Sequence, residues 1–324
     1  MKRQTIPVTF LKTICWVGNS IVGWASAGKR YTFDGKTDQL GETSFGFGDS
    51  AITSTDGQYA FIYQKLGTKG LLLKNGALLR EINRSYYCAN VYEYPAAFVT
   101  TENETFLIHC PSEYCRLDFE EVETGQIITN SKGRSPADFF HSRLEISPNG
   151  KYLMSKGWVW HPLDAIKVFD IQECIQNPKL LDESEIYPNV GVEISTASFI
   201  DDQRILMGSS SEEEIDEELL ENLPPKHIAI WNVTLNQISK PVKMDIEFGN
   251  LFAINDQYAW DLFRFPKIIN LETGEIVDQD ETLPSGLQNS SIIHHIKELP
   301  KIAFNQKTKQ LVITNADSIE IIGK

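Results

Sequence analysis

The chain has 324 residues, with 44 Asp and Glu against 30 Lys and Arg and a net charge of −14. A chain of this length can bury a large core without disulfides or metals, and its 41% hydrophobic content is not that of a disordered protein. The negative charge repels phosphate backbones and anionic membrane surfaces, so it argues against nucleic acid and membrane partners and favours basic proteins.

The N-terminal stretch and the cysteines favour a cytoplasmic protein. Ala25-Ser26-Ala27 resembles a signal-peptidase site, but Lys12 interrupts the apolar run before it. The segment from Thr13 to Ser26 is better explained as two strands joined at Gly18-Asn19. The five cysteines form no CxxC pair, which favours reduced thiols. The sequence contains no uninterrupted run of about 18 apolar residues, so no membrane span is predicted.

One hairpin pattern recurs along the chain: an apolar strand, a polar turn and a second apolar strand. The clearest copies run over 52–61, around Asp56-Gly57, and over 144–153, around Asn149-Gly150. Asp-Gly and Asn-Gly tolerate positive φ, so both are strong hairpin signals. Less regular copies occupy the following segments: 14–22, 98–107, 199–206, 252–259 and 302–311.

The spacing of these seven units predicts the fold. The first residues after the seven turns follow one another at steps of 38 to 53 residues, and a four-stranded propeller blade needs about 40–50. Third and fourth strands are expected in most units, as in Ile268 to Leu271 followed by Thr273-Gly274. We therefore predict an all-β chain in which residues 1–324 form one seven-bladed β-propeller domain; the alternative is another antiparallel fold such as two stacked sandwiches.

The last unit is one strand short, because the chain stops at Lys324 after three strands. The segment from Thr5 to Leu11 precedes the first unit and is predicted to close the last blade by pairing with its C-terminal strands. Pro7 has no backbone N–H to donate to a neighbouring strand, so this strand is expected at the outer edge of the blade.

The repeated Ser-x-Asp/Asn-Gly-x-Tyr hairpin, followed by an apolar-Asp strand and a Thr-Gly-Glu/Gln turn, resembles the degenerate repeats of the WD40-like and YVTN-like β-propeller superfamily. The resemblance covers nearly the whole chain. No Gly-His dipeptide opens the units and no Trp-Asp dipeptide closes the third strand of a unit, so the resemblance implies a diverged propeller. It implies an architecture and not an activity.

The segment from Ser209 to Pro225, which we call the acidic insertion, lies between the second and third strands of the fifth unit. Ser211 is a candidate cap for a short helix that Pro224 and Pro225 would stop, and helix is expected to be nearly absent outside 212–223. The insertion is either a solvated loop or a docking surface for a basic partner, and it lacks the spacing of a calcium-binding EF-hand loop. Its candidate partner-binding residues are Glu212, Glu213, Glu214, Asp216, Glu217, Glu218 and Glu221.

Local motifs for catalysis are missing from the sequence. It has no G-x-S-x-G nucleophile elbow, no phosphate loop and no G-x-G-x-x-G run, and no cofactor or metal is expected. His294 and His295 would face opposite sides of a strand and so share no metal easily. Most aromatic residues are expected to pack between blades, and the exposed minority are candidate partner anchors; the set includes Tyr86, Tyr87, Tyr92, Tyr94, Trp158, Trp160, Tyr258, Trp260, Phe263 and Phe265.

These observations favour a non-catalytic, protein-binding propeller with a basic partner. It would act as a scaffold or as an immunity-type inhibitor that covers the active site of a basic toxin. The alternative is a lactonase-like or hydrolase-like propeller enzyme with its site at the central channel. Such a site is assembled from separate blades, so it would leave no local motif.

Overall fold

The structure is a computed structural model that describes residues 1–101, 104–209 and 216–324. Seven antiparallel sheets follow one another along the chain, and we number them as blades 1 to 7. The chain divides into two compact units. The first unit comprises Lys2–Asn130 and Pro300–Lys324, and the second unit comprises Ser131–Leu299 together with Met1.

Blades 1 to 3 belong to the first unit, and their strands pair in chain order. The N-terminal strand β1 (Lys2–Pro7) is followed by blade 1, which contains β2 (Cys15–Val17), β3 (Ser20–Gly23), β4 (Lys29–Tyr31) and β5 (Thr37–Gln39). Blade 2 contains β6 (Ser50–Thr53), β7 (Tyr59–Tyr63), β8 (Lys69–Lys74) and β9 (Ala77–Asn83). Blade 3 contains β10 (Ala96–Thr101), β11 (Glu104–His109) and β12 (Asp118–Glu121). The predicted fourth strand of blade 3 is reduced to one bridge between Glu120 and Ile127.

Blades 4 to 6 form the second unit. Blade 4 contains β13 (Glu145–Ile146), β14 (Tyr152–Val159) and β15 (Leu163–Asp170), followed by helix α1 (Ile171–Gln176) and a 3₁₀ turn (Pro178–Leu181). Blade 5 contains β16 (Thr196–Phe199), β17 (Arg204–Ser209), a 3₁₀ turn (Glu217–Leu219), β18 (His227–Asn232), β19 (Gln237–Ile238) and β20 (Val242–Lys243). Blade 6 contains β21 (Leu251–Ala253), β22 (Tyr258–Asp261), β23 (Lys267–Asn270) and β24 (Ile276–Gln279). No helix within the described ranges has the length and apolarity needed to cross a bilayer.

Helix α1 has six residues, which agrees with the prediction that helix is nearly absent outside the acidic insertion, although its position was not predicted. Asp170 ends β15, and its carboxylate accepts hydrogen bonds from the backbone N–H groups of Gln172 and Glu173. The same residue is therefore a strand end and a helix N-cap. Ile171 and Cys174, three positions apart, are the buried residues of the helix.

Both ends of the chain build blade 7. The strands β25 (Ile302–Asn305), β26 (Gln310–Thr314) and β27 (Ser318–Gly323) are completed by β1 in the order β1-β27-β26-β25. The predicted closure is confirmed, although the closing strand is Lys2–Pro7 and not Thr5 to Leu11. Pro7 lies on the outermost strand, as its missing donor requires. The fold is thus an all-β, seven-bladed β-propeller closed by its N-terminal strand.

Side-chain hydrogen bonds join the innermost strands of neighbouring blades. In the second unit, the hydroxyl of Thr196 accepts from the backbone N–H of Leu251 at 2.9 Å, and that of Ser198 accepts from Ala253 at 3.1 Å. These bonds satisfy backbone donors at a sheet edge that no neighbouring strand covers. They hold blades 5 and 6 in register.

The two ends of each blade differ in the length of their connections. In an antiparallel blade, the turns between the first and second strands and between the third and fourth strands share one end. The loops between the second and third strands share the other end with the connections to the next blade, and we call it the connector end. The longest segments lie there, namely 84–95, 110–117, 128–144, 183–195, 210–226 and 280–301. Loops of this kind are the usual carriers of binding residues on a rigid scaffold.

Candidate functional site

The acidic insertion connects β17 to β18 at the connector end of blade 5. Glu212, Glu213 and Glu214 lie outside the described residues, as does the candidate cap Ser211. Within the described part, the predicted helix is a single 3₁₀ turn over Glu217–Leu219. The Asp216 carboxylate caps it by accepting from the backbone N–H of Glu218 at 2.9 Å.

Three contacts anchor this insertion to the segment before β16. Leu223 is fully buried within the core that blades 4 and 5 share. The backbone N–H of Asp216 donates to the Gly191 carbonyl at 3.1 Å, and the side chain of Asn222 donates to the Asn189 carbonyl at 2.8 Å. A Cβ at Gly191 would lie 2.0 Å from the Asp216 carbonyl oxygen, so this close approach requires glycine.

The charges of the anchored segment point outward. The side chains of Asp216, Glu217, Glu218 and Glu221 are exposed, and no cation of the described residues forms a salt bridge with them. The segment they dock on also exposes carboxylates, because 183–189 alternates between outward and inward side chains. We call the set the acidic surface; its described members are Glu183, Glu185, Asp216, Glu217, Glu218 and Glu221.

A second surface, in the first unit, lies between the blade 2–3 connection and the loop from β11 to β12. Tyr86 is 86% exposed and Tyr87 is 48% exposed. The ring of Tyr87 contacts that of Tyr114, with 4.9 Å between the ring centroids. An open groove of about 760 Å³ is lined by Tyr86 and Tyr87, and we call it the tyrosine groove. Its rim is formed by Ser85, Tyr86, Tyr87, Asn90, Pro111 and Ser112.

Arg84 holds the floor of the tyrosine groove together. Its side chain is 4% exposed, and its guanidinium stacks on the rings of Tyr92 and Tyr94 at 4.7 and 4.9 Å. Burial lowers the pKa of this guanidinium below its usual range. The guanidinium donates to four backbone carbonyls, those of Ala89 at 2.6 Å, Gly67 at 2.7 Å, Tyr92 at 3.1 Å and Glu93 at 3.4 Å. The side chain of Arg84 therefore holds the irregular segment that carries Tyr86 and Tyr87 at several points.

The other aromatic residues divide as the sequence predicts, with most of them inside. Tyr92, Tyr94 and Trp260 are buried. Trp158 is also buried and stacks on Phe140 with 3.7 Å between the ring centroids. Of the ten aromatic residues singled out in the sequence, Tyr86, Tyr87 and Trp160 are exposed, and Trp160 lies at the tip of the hairpin between β14 and β15.

The histidines do not assemble into a metal site. Within the described ranges, no group of three or more His, Cys, Asp or Glu side chains is placed to hold a metal. His294 and His295 lie in an exposed turn and not on a strand, and their rings contact each other edge to face. His109 is buried with Nε2 at 2.9 Å from Glu120, and His141 is buried with Nδ1 at 3.1 Å from the Ser155 hydroxyl.

Within the second unit, the connector ends of the inner strands are joined by a cation. Arg143 donates to the Ser195 carbonyl at 3.2 Å and to the side-chain oxygen of Asn250 at 3.1 Å, which links blades 4, 5 and 6. Nearby, the Asp164 carboxyl accepts from the backbone N–H of Ser291 at 3.0 Å, and burial raises its pKa. These buried contacts tie the long 280–301 segment to blade 4.

No family model matches the sequence, and no curated protein matches it. Among solved structures, a chain from the crystal structure of a mitotic checkpoint complex is similar, with a TM-score of 0.59 and 10% identity. The match covers 99% of this chain and 90% of that chain. Similarity at this identity shows the fold alone. The match therefore supports the seven-bladed β-propeller fold that the sheets of this chain show.

Proposed function

We propose that the protein is a cytoplasmic, non-catalytic binding module that engages a basic protein partner through the acidic surface. The anchoring of the acidic insertion is the observation that carries this proposal. Leu223 is buried and Asp216 is bonded to Gly191, so the carboxylates project from a fixed segment. A surface that is already ordered loses little conformational entropy when a partner binds.

Electrostatics supports a basic partner over a neutral one. Other surface carboxylates, such as Asp38 with Arg30 and Glu81 with Lys69, are paired within the chain. The described carboxylates of the acidic insertion are exposed and have no such partner among the described residues. Together with the net charge of −14 they attract cationic surfaces, which raises the association rate and makes it sensitive to salt.

Two roles agree with such a surface. In the scaffold role, the propeller holds the partner without changing its activity. In the immunity-type role, the partner is a basic toxin or enzyme, and the propeller covers its active site. The solved neighbour belongs to a multiprotein assembly, the mitotic checkpoint complex, which supports protein binding as a use of this fold. Assaying a captured partner for its own activity, with and without the propeller, distinguishes the two roles.

The test compares the wild-type protein with the triple variant Glu217→Gln, Glu218→Gln, Glu221→Gln as baits in a native lysate at low and high salt. A matched control, Glu272→Gln, Glu281→Gln, Glu298→Gln, removes the same charge from exposed positions outside the acidic surface. We expect the wild type and the control to retain a basic protein at low salt. We expect association of that protein with the triple variant to be slower by roughly threefold to tenfold.

Two results would contradict the proposal. The acidic surface does not recognise the partner if all retained proteins are acidic. The same conclusion follows if the partner associates with the triple variant and with the control at equal rates. Retention of a small-molecule substrate with no protein would remove the binding-module function itself.

A further inference from the structure

The tyrosine groove presents aromatic faces on a fixed backbone. The N–H of Ala89 donates to the Tyr86 carbonyl at 3.1 Å, and the N–H of Val91 donates to the Cys88 carbonyl at 2.9 Å, so two consecutive turns carry the tyrosines. Tyrosine offers a large, amphipathic contact area with only two side-chain torsions to order. An exposed tyrosine on a fixed turn is thus suited to bind a partner side chain at little entropic cost.

The charges around the groove favour a cation. The segments 85–92 and 110–115 contain one ionisable acid or base other than Tyr and Cys, which is Glu113. Its side chain is exposed and forms no salt bridge with the described residues. The charges that flank these segments are engaged within the chain. Arg84 lies under the floor, where its guanidinium is held by four carbonyl oxygens and two tyrosine rings. Glu93 pairs with Lys65 at 3.6 Å, and Arg116 pairs with Asp118 at 3.0 Å. The accessible charge beside the groove, on the residue that follows its lining residue Ser112, is therefore negative.

We propose that the tyrosine groove binds an arginine side chain from an extended segment of a basic partner, with the guanidinium stacked on Tyr86 and Tyr87 and paired with Glu113. This inference rests on the proposed function, since it assigns a contact to the same basic partner. A guanidinium is planar, stacks flat on aromatic faces and matches a carboxylate with two parallel donors, whereas an ammonium is a compact, strongly hydrated point charge that forms no flat stack and no two-donor pair of this geometry. The stacking of Arg84 on Tyr92 and Tyr94 shows this interaction within the chain itself.

The test titrates the full chain, carrying ¹³C-labelled tyrosine, with a capped peptide Gly-Gly-Ser-Arg-Ser-Gly-Gly. Three matched peptides replace the arginine by lysine, leucine or glutamate. We expect saturable shifts of the Tyr86 and Tyr87 ring signals with the arginine peptide, at least several-fold weaker binding of the lysine peptide, and no saturable shift with leucine or glutamate. Single Tyr→Phe variants assign the signals.

Variants place the binding at the groove. Tyr86→Ala combined with Tyr87→Ala should abolish binding of the arginine peptide, and Glu113→Gln should weaken it by roughly threefold. These side chains are exposed, so the fold tolerates their removal, and Tyr187→Ala, an exposed tyrosine of the second unit, is the matched control. Equal binding of the leucine and arginine peptides, no saturable shift at all, or unchanged binding by the double variant would each overturn the proposal.

This titration and the lysate experiment fail separately. If a basic partner is captured through the acidic surface but the arginine peptide does not bind, the groove proposal is wrong and the proposed function stands. If the arginine peptide binds at the groove but no basic protein is retained, the groove is an arginine site and the proposed function is wrong.

Discussion

Replacing Arg84 by Met removes the guanidinium from beneath the tyrosine groove while keeping most of the side-chain volume. The two shortest of its four hydrogen bonds, to Ala89 at 2.6 Å and to Gly67 at 2.7 Å, have a charged donor. Bonds of that kind contribute about 1.5–3 kcal/mol each, and removing the buried charge offsets part of the loss. We therefore expect Arg84→Met to lower the free energy of unfolding by about 3 kcal/mol.

Urea denaturation followed by tryptophan fluorescence measures this change. With a denaturant slope of about 3 kcal/mol per molar, the midpoint should fall by about 1 M. The matched control is Arg264→Met, because the side chain of Arg264 is 62% exposed and pairs with Glu247 at the surface. Surface ion pairs of this kind contribute at most about 1 kcal/mol.

Hydrogen exchange locates the effect. Amides of 85–93, among them Ala89 and Val91, should exchange faster in Arg84→Met, while strands of blade 5 keep their protection. Coincident midpoints for Arg84→Met and Arg264→Met, with unchanged exchange over 85–93, would refute the view that one guanidinium orders the groove.

Two further predictions concern blade 7 and a buried carboxylate. Deleting residues 1–8 removes all six residue pairs that β1 makes with β27, so we expect aggregation on size-exclusion chromatography and loss of cooperative melting; an unchanged melting curve would count against closure by this strand. Burial alone would raise the pKa of Glu120, but His109 and Arg80 outweigh it and lower that pKa below its usual 4.5. Stability from Glu120 is therefore present above pH 4.5 and lost as the pH falls through the lowered pKa. Between about pH 5 and pH 3, the urea midpoint of Glu120→Gln should fall less than that of the wild type, and parallel curves would show that Glu120 carries no such linkage.

The strands were predictable where turn chemistry and apolar alternation agree. Asn149-Gly150 lies between β13 and β14 as expected, because both the positive φ of the glycine and the flanking apolar residues require a hairpin. The closing strand was predicted in place but not in extent. The chain leaves the sheet after Pro7, and Phe10 adopts a positive φ, which an apolar pattern does not indicate. Helix α1 was missed because Asp170 ends a strand and caps a helix at once.

The groove was less accessible to sequence reasoning than the acidic insertion. A run of carboxylates is visible in the sequence, although its anchoring by Leu223 is not. The groove depends on a contact between Tyr87 and Tyr114, which lie on different loops, and on a guanidinium bonded to four separate carbonyls. A local signal that the sequence does offer is the uncharged, tyrosine-rich connection that directly follows Arg84.

Closure of blade 7 by β1 also sets the order of events during synthesis. The partner strand of β1, β27, leaves the ribosome more than 300 residues after it, which at usual elongation rates is on the order of 15–60 s. Throughout that interval the earlier blades can form, while β1 has no partner strand with which to pair. Lys2 and Arg3 place charge on the waiting strand, and Pro7 removes one of its donors, so the features that suit an outer strand also discourage the nascent segment from pairing with other chains.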